Sequence, residues 1–219
     1  MSSLSEARKS PGPPPASPTL PSVPRIPQPV QHLHLGISAH GADNLRLAAE
    51  HFELAAKLGG GCALGMIMWG LTLRHGWGLR KDVGRGYVWM RKGVERALKE
   101  WEVEEPQGKK IRGLQPGRGQ EMIKELGGVR RELVLALGEV ARGSMHGWGV
   151  KEDKKMGFNY FIVGAQLGDA ECAQEVAFCY EKGRGVRKDK MEAARWYRQA
   201  IKAGMSDVGL AWIWKPKYD

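Results

Sequence analysis

A chain of 219 residues with 42% hydrophobic and 26% charged content can bury a sizeable core, and its net charge of +10 admits acidic proteins, nucleic acid or an anionic membrane as partners. The bases are scattered with no run of five or more, which disfavours nucleic acid. Three cysteines without a CxxC exclude an even disulfide framework, and the longest apolar stretch, 62–73, is too short to span a membrane.

Residues 1–42 hold nine of the twelve prolines and few large apolar residues, the composition of a disordered segment. Pro15, Pro18, Pro21, Pro24 and Pro27 recur every three residues, the period of polyproline II, so they form one ridge. That ridge is either a stiff spacer or a ligand for an SH3-type domain. Arg8 and Lys9 have no apolar run behind them and the prolines oppose a mitochondrial presequence, so the expectation is a cytoplasmic protein, with cortex or nucleus as alternatives, and not a secreted one.

From Asn44 to Gly60 the residues Ala48, Ala49, Phe52, Ala55, Ala56 and Gly60 mark the stripe of an unpaired helix, expected to cap a stack as residues 43–60. A loop then follows that the chain writes three times. His75-Gly76-Trp77-Gly78-Leu79-Arg80-Lys81-Asp82 recurs as His146-Gly147-Trp148-Gly149-Val150-Lys151-Glu152-Asp153, and as Lys182-Gly183-Arg184-Gly185-Val186-Arg187-Lys188-Asp189. Upstream, Trp69, Val140 and Val176 hold matching places; downstream, Trp89, Tyr160 and Trp196 precede Gly93, Gly164 and Ala200 at helical spacing. The unit is helix, Gly-x-Gly turn, helix. Gly76, Gly147 and Gly183 suit the left-handed residue that closes the first helix, with Gly78, Gly149 and Gly185 completing the turn. Asp82, Asp153 and Asp189 suit the N-cap of the second helix, and Glu192 offers the reciprocal arm of a capping box to Asp189.

The units are placed at 61–97, 129–168 and 169–204, with an insertion at 98–128 that accounts for the nearly doubled first interval. Within it, Pro106 ends a helical extension and 106–118 reads as a basic surface loop. Residues 205–219 form a C-terminal cap: Ser206 to Ile213 begins a further first helix, and Trp212-Ile213-Trp214 covers the end of the third unit.

Recurrence in register resembles the Sel-1-like repeat, a relative of the tetratricopeptide repeat. The third unit fits most closely; Ser144 at the tyrosine position and Trp69 with Leu73 depart from the pattern, which is expected to loosen those packing sites without abolishing them. The resemblance implies an all-α, right-handed α-solenoid over residues 43–219, acting as a non-catalytic adaptor. It is similar to adaptors of membrane-protein degradation, activators of chitin synthase, and most of all the fungal mitosis inhibitors that bind a cell-cycle kinase. Its expected partners are therefore a protein kinase or a membrane-associated enzyme complex. A hydrolase of the same repeat family and a basic nucleic-acid binder are the alternatives.

No HExxH, GxSxG or phosphate-binding loop is present, no cofactor or metal is expected, and Gly-x-Gly follows a helix where a dinucleotide site requires a strand. Cys172 and Cys179, seven apart on one helix, read as small apolar residues, and the lack of bridges points to a reducing compartment. Equivalent loops of a solenoid line up, so Trp77, Trp148 and Arg184 form a row of partner-binding residues, unless each indole folds over its own turn.

Overall fold

The computed structural model describes residues 26–104 and 129–218. Among them are eight α-helices and no strand: α1 Gln28–Gly41, α2 Leu45–Lys57, α3 Ala63–His75, α4 Val83–Glu104, α5 Val129–His146, α6 Lys154–Gln166, α7 Ala170–Lys182 and α8 Lys190–Lys202. Consecutive helices pack as neighbours in the order of the chain, which is the architecture of an α-solenoid. Five of the eight are 13 residues long, whereas α4 has 22 and α5 has 18. The two long helices flank the insertion, whose basic loop, expected at 106–118, lies outside the described residues, and the stack continues from α4 to α5.

Burial follows the same one-dimensional order. One apolar cluster joins α1, α2 and α3 through Leu33, Phe52, Met66 and Trp69, and a second joins α3, α4 and α5 through Ile67, Leu71, Met90, Val94 and Leu137. A third runs from α5 to α8 through Phe161, Cys172, Val176 and Ala200, and a fourth seats Ile213 on Ala177, Ala194 and Tyr197. Each interface thus has its own core, and removing a large side chain empties one junction only.

Three features differ from the reading of the sequence. The segment 1–42, expected as one disordered stretch, is helical over Gln28–Gly41; Pro15, Pro18, Pro21 and Pro24 lie outside the described residues. Pro27 occupies the N-cap and Pro29 the first turn, where a missing N–H costs nothing because that donor has no intrahelical partner. Helix α1 pairs with α2, so α2 is not an unpaired cap; an added Cβ on Gly36 would lie 2.6 Å from the Phe52 ring.

The second difference is at the C-terminus. Ser206 to Ile213 forms no further first helix: Ala211–Trp214 and Pro216–Tyr218 are 3-10 turns. Ile213 is fully buried, and Trp212 meets Tyr197 and Tyr218 edge-on at 6.1 and 5.2 Å, while Trp214 stays 53% exposed beneath the Arg198 guanidinium. The tail covers the stack with two of its three large residues.

The third concerns Ser144, where the repeat pattern has tyrosine. Ser144 Oγ donates to Val140 O at 2.8 Å and accepts from the Tyr87 hydroxyl at 2.8 Å, both side chains being buried. In the next unit the aromatic pair is Phe158 with Tyr180, rings perpendicular and 5.3 Å apart. The hydroxyl has changed sides of the same junction, which keeps it filled and satisfied.

The turns lock the stack. A Cβ on Gly78 would lie 2.3 Å from Leu45 O, one on Gly149 2.6 Å from Val83 O, and one on Gly185 2.1 Å from Lys154 O. Each of these carbonyls belongs to the first residue of the preceding second helix. Gly185→Ala should therefore lose about 3 kcal/mol, from strain at φ +74° plus the displaced junction, whereas Gly204→Ala, at φ +105° but facing open space, should lose about 1 kcal/mol. Chemical denaturation of both variants is the measurement; equal losses would show that φ alone requires glycine at Gly185.

Candidate functional site

Each of the three turns is built by the same bonds. Gly76, Gly147 and Gly183 have φ of 78°, 72° and 73°. The N–H of the next residue then reaches back into the first helix, Trp77 to Thr72 O at 3.1 Å, Trp148 to Gly143 O at 2.9 Å and Arg184 to Cys179 O at 2.9 Å. The amides of Asp82, Asp153 and Asp189 close the turn onto Leu73, Ser144 and Tyr180 carbonyls at 2.8, 2.8 and 2.9 Å. Their carboxylates accept from Arg85 N, Met156 N, and both Met191 N and Glu192 N. At Asp189 the reciprocal arm expected of a capping box is replaced: its N–H goes to Tyr180, and Glu192 Oε1 accepts from Arg195.

These fixed bonds leave the residue between the glycines to face outward or to fold down. Trp77 folds down. Its indole stacks on His75 at 5.1 Å and meets His40 of α1 edge-on at 5.0 Å, and it is half-buried against the second apolar cluster's neighbours. Trp148 stacks on His146 at 4.8 Å yet is 49% exposed. Arg184 carries its guanidinium 5.9 Å above the Phe178 ring. The three occupy equivalent places but are not equivalent surfaces.

What the stacking does bring together is Trp148 with the preceding turn. Gly147, Trp148 and Gly149 line a cleft of about 530 Å³ with Arg74, His75, Lys81 and Val83. Arg74 is held there by an ion pair across the junction to Glu139 of α5, which also accepts from Arg142 Nη2 at 3.0 Å. Sequence reading did not find Arg74 or Lys81, because the partner turn lies 71 residues away in the chain and nothing local marks the pairing.

Among the described residues no group of three or more His, Cys, Asp and Glu side chains is placed to hold a metal ion, and no helix is long and apolar enough to cross a membrane. Two imidazoles join α1 to α2, His32 Nδ1 lying 3.1 Å from His51 Nδ1 in a hydrogen bond.

Helix hairpins closed by Gly-x-Gly and stacked through its second glycine define a helical-repeat solenoid. The Sel1 repeat family model matches residues 34–60, 63–97, 135–169 and 170–205, and the chain belongs to that family. Four matches replace the three units read from the sequence, because α1 with α2 makes a first hairpin that lacks the Gly-x-Gly turn. The chain is similar to the mitosis inhibitor nif1 of Schizosaccharomyces pombe, 26% identical over 190 residues, covering 86% of this chain and 27% of that protein. It thus spans about a quarter of that relative. Its fold is similar to that of a protective antigen present in uropathogenic Escherichia coli strains, an SLR fold, with a TM-score of 0.59 and 23% identity over 81% of this chain and 31% of that one.

The cysteines are free and serve packing. Burial pushes the Cys172 thiol well above its usual range, with Asp169 adding to the effect, and pushes Cys179 up to about 11. Cys62, half-buried, is raised by burial as well. Since the thiolate is the reactive form, labelling of the folded chain at neutral pH should proceed at Cys62 first and leave Cys172 and Cys179 unmodified until denaturant is added. Mass-spectrometric mapping after a short alkylation pulse checks this, and early modification of Cys172 would contradict its place in the core.

Proposed function

We propose that this chain is a non-catalytic scaffold that binds other proteins along the edge formed by its Gly-x-Gly turns, in a regulatory role. Trp148 carries the reading: a tryptophan half exposed at a junction of two units, held by a stacked imidazole over a cleft, is the residue type and setting of an interface hot spot. Repeat solenoids offer long surfaces of this kind, and family membership supports protein binding over catalysis. Similarity to a mitosis inhibitor supports a partner in cell-cycle control, a protein kinase being the class in view. Trp77 and Arg184 contribute differently, the first by holding α1 against the turn and the second as a cation at the far end of the edge.

The test is affinity capture from a native lysate with the whole chain as bait, beside Trp148→Ala. Truncating this half-exposed indole should change stability by about 1 kcal/mol or less, whereas Trp77→Ala, which empties a packed site, should lose about 3 kcal/mol and is unsuitable as a binding probe. A specific protein retained by the wild type and lost from folded Trp148→Ala is the expected result. Equal recovery would move the contact off the edge, and the absence of any specific protein would reject the scaffold reading.

A further inference from the structure

Among the described helix connections the charge is not evenly shared between the two edges of the stack. Because successive helices are antiparallel neighbours, their connections alternate between two edges. The three turn segments 75–85, 146–155 and 182–190 hold eleven Lys and Arg against four carboxylates, and three of those four are the capping aspartates. At the other edge the described connections, 57–63, 166–171 and 202–207, hold two lysines against three carboxylates, while 105–128, which joins α4 to α5 and has five Lys and Arg against three carboxylates in its sequence, lies outside the described residues. The excess of +7 on the turn segments is thus most of the net +10 of the whole chain.

Stacking converts these scattered bases into one strip. Gly149 abuts Val83 and Gly84, directly after the first turn, and Gly185 abuts Lys154 and Lys155, directly after the second. Arg80, Lys81, Lys151, Lys155, Arg187 and Lys188 are all exposed along it. The ion pairs of the strip are Asp82 with Arg85 at 4.0 Å, Glu152 with Lys154 at 3.0 Å and Glu181 with Lys182 at 2.6 Å, and none of them engages those six bases.

We propose that the turn edge is a docking strip for an extended acidic segment of a partner protein, its carboxylates meeting the paired bases of successive turns and one apolar side chain entering the cleft beneath Trp148. This rests on the scaffold reading above and names the chemistry of the partner. A polypeptide fits better than a nucleic acid. Strand-binding surfaces present a succession of open aromatic faces, whereas of these three turns one, at Trp148, exposes an indole, Trp77 being folded against His75 and His40 and the third turn having Arg184 in that place. The strip is also interrupted once per turn by a capping aspartate, which an acidic peptide can skip with a neutral residue and a phosphate backbone, charged at every unit, cannot.

The experiment titrates the whole chain against a fluorescein-labelled peptide of glutamate and serine with one central leucine, at about 0.1 M salt, where charges more than about 10 Å apart are screened. Two variants of equal net charge are compared. One reverses Arg80→Glu, Lys151→Glu, Lys155→Glu and Arg187→Glu on the turn edge; the other reverses Lys57→Glu, Lys99→Glu, Arg131→Glu and Lys202→Glu, all exposed and away from it. Circular dichroism establishes that both are folded. The expected result is a loss of affinity of roughly tenfold or more for the turn-edge variant, with the other close to wild type. Trp148→Ala and the peptide with serine in place of leucine should each weaken binding, and together no further.

Equal losses in the two variants would overturn the proposal, since net charge would then be the cause, as would an unlabelled peptide that fails to compete. Tighter turn-edge binding of a single-stranded oligonucleotide, or of phosphatidylserine vesicles, than of the peptide would overturn it in favour of that occupant. Using the turn-edge variant as bait in the capture separates the two readings: a protein held equally by it and by the wild type keeps the scaffold and removes the acidic strip.

Discussion

The contact on which the rest of the stack depends is the second glycine of each turn against the first residue of the preceding second helix. Gly78 on Leu45, Gly149 on Val83 and Gly185 on Lys154 bring backbone against backbone, with no room for even a methyl group. Positive φ alone would favour glycine there, but asparagine could also serve; the close approach admits nothing larger. Since the carbonyls approached are at the same helical position in three units, the spacing and register of the turns follow from one repeated contact. The helices behind them close up accordingly, with Gly86 against Gly70 and Gly157 against Ala141.

Much of this was legible from the sequence, and for a local reason. The turn is written in φ and in caps, both properties of a few consecutive residues, so Gly76, Asp82 and their copies announce themselves without knowledge of what they pack against. Helix α1 was not legible because its composition pointed the other way: Pro27 and Pro29 look like disorder until they are seen to occupy the one stretch of a helix that tolerates proline. Its signal was present in Leu33, Gly36 and Ala39, which share a face, but three residues over fourteen are a thin stripe. Tyr87 with Ser144, and Arg74 with Glu139, are pairings across an interval that the insertion lengthens, and no local pattern carries such information.

The row of Trp77, Trp148 and Arg184 shows the limit of equivalence by position. All three sit between αL glycines, and the turn geometry treats them alike. What separates them is the neighbour. Trp77 finds α1, a helix the stack needs at its end, and is drawn into the interior through His40; Trp148 finds the open side of the first turn and stays at the rim. A repeat fixes where a side chain starts, and the adjoining unit decides where it points.

The same division of labour accounts for the position of the charge. Within each turn the glycines are required for φ and close approach and the aspartate for the cap, and the aliphatic Leu79, Val150 or Val186 packs inward on the clusters. The positions left over are the residue between the glycines and the one or two residues before the aspartate. The bases one or two places before the aspartate are exposed in every unit and recur at the pitch of the stack, and apart from Trp77, which holds α1, no packing demand shown here constrains these positions. Six of the bases on the turn edge, among them Arg80, Lys81, Lys151, Arg187 and Lys188, stand at such positions. A surface repeated by the architecture but free of it is where a scaffold can acquire a binding preference without altering its fold, and here six of the nine such positions carry positive charge.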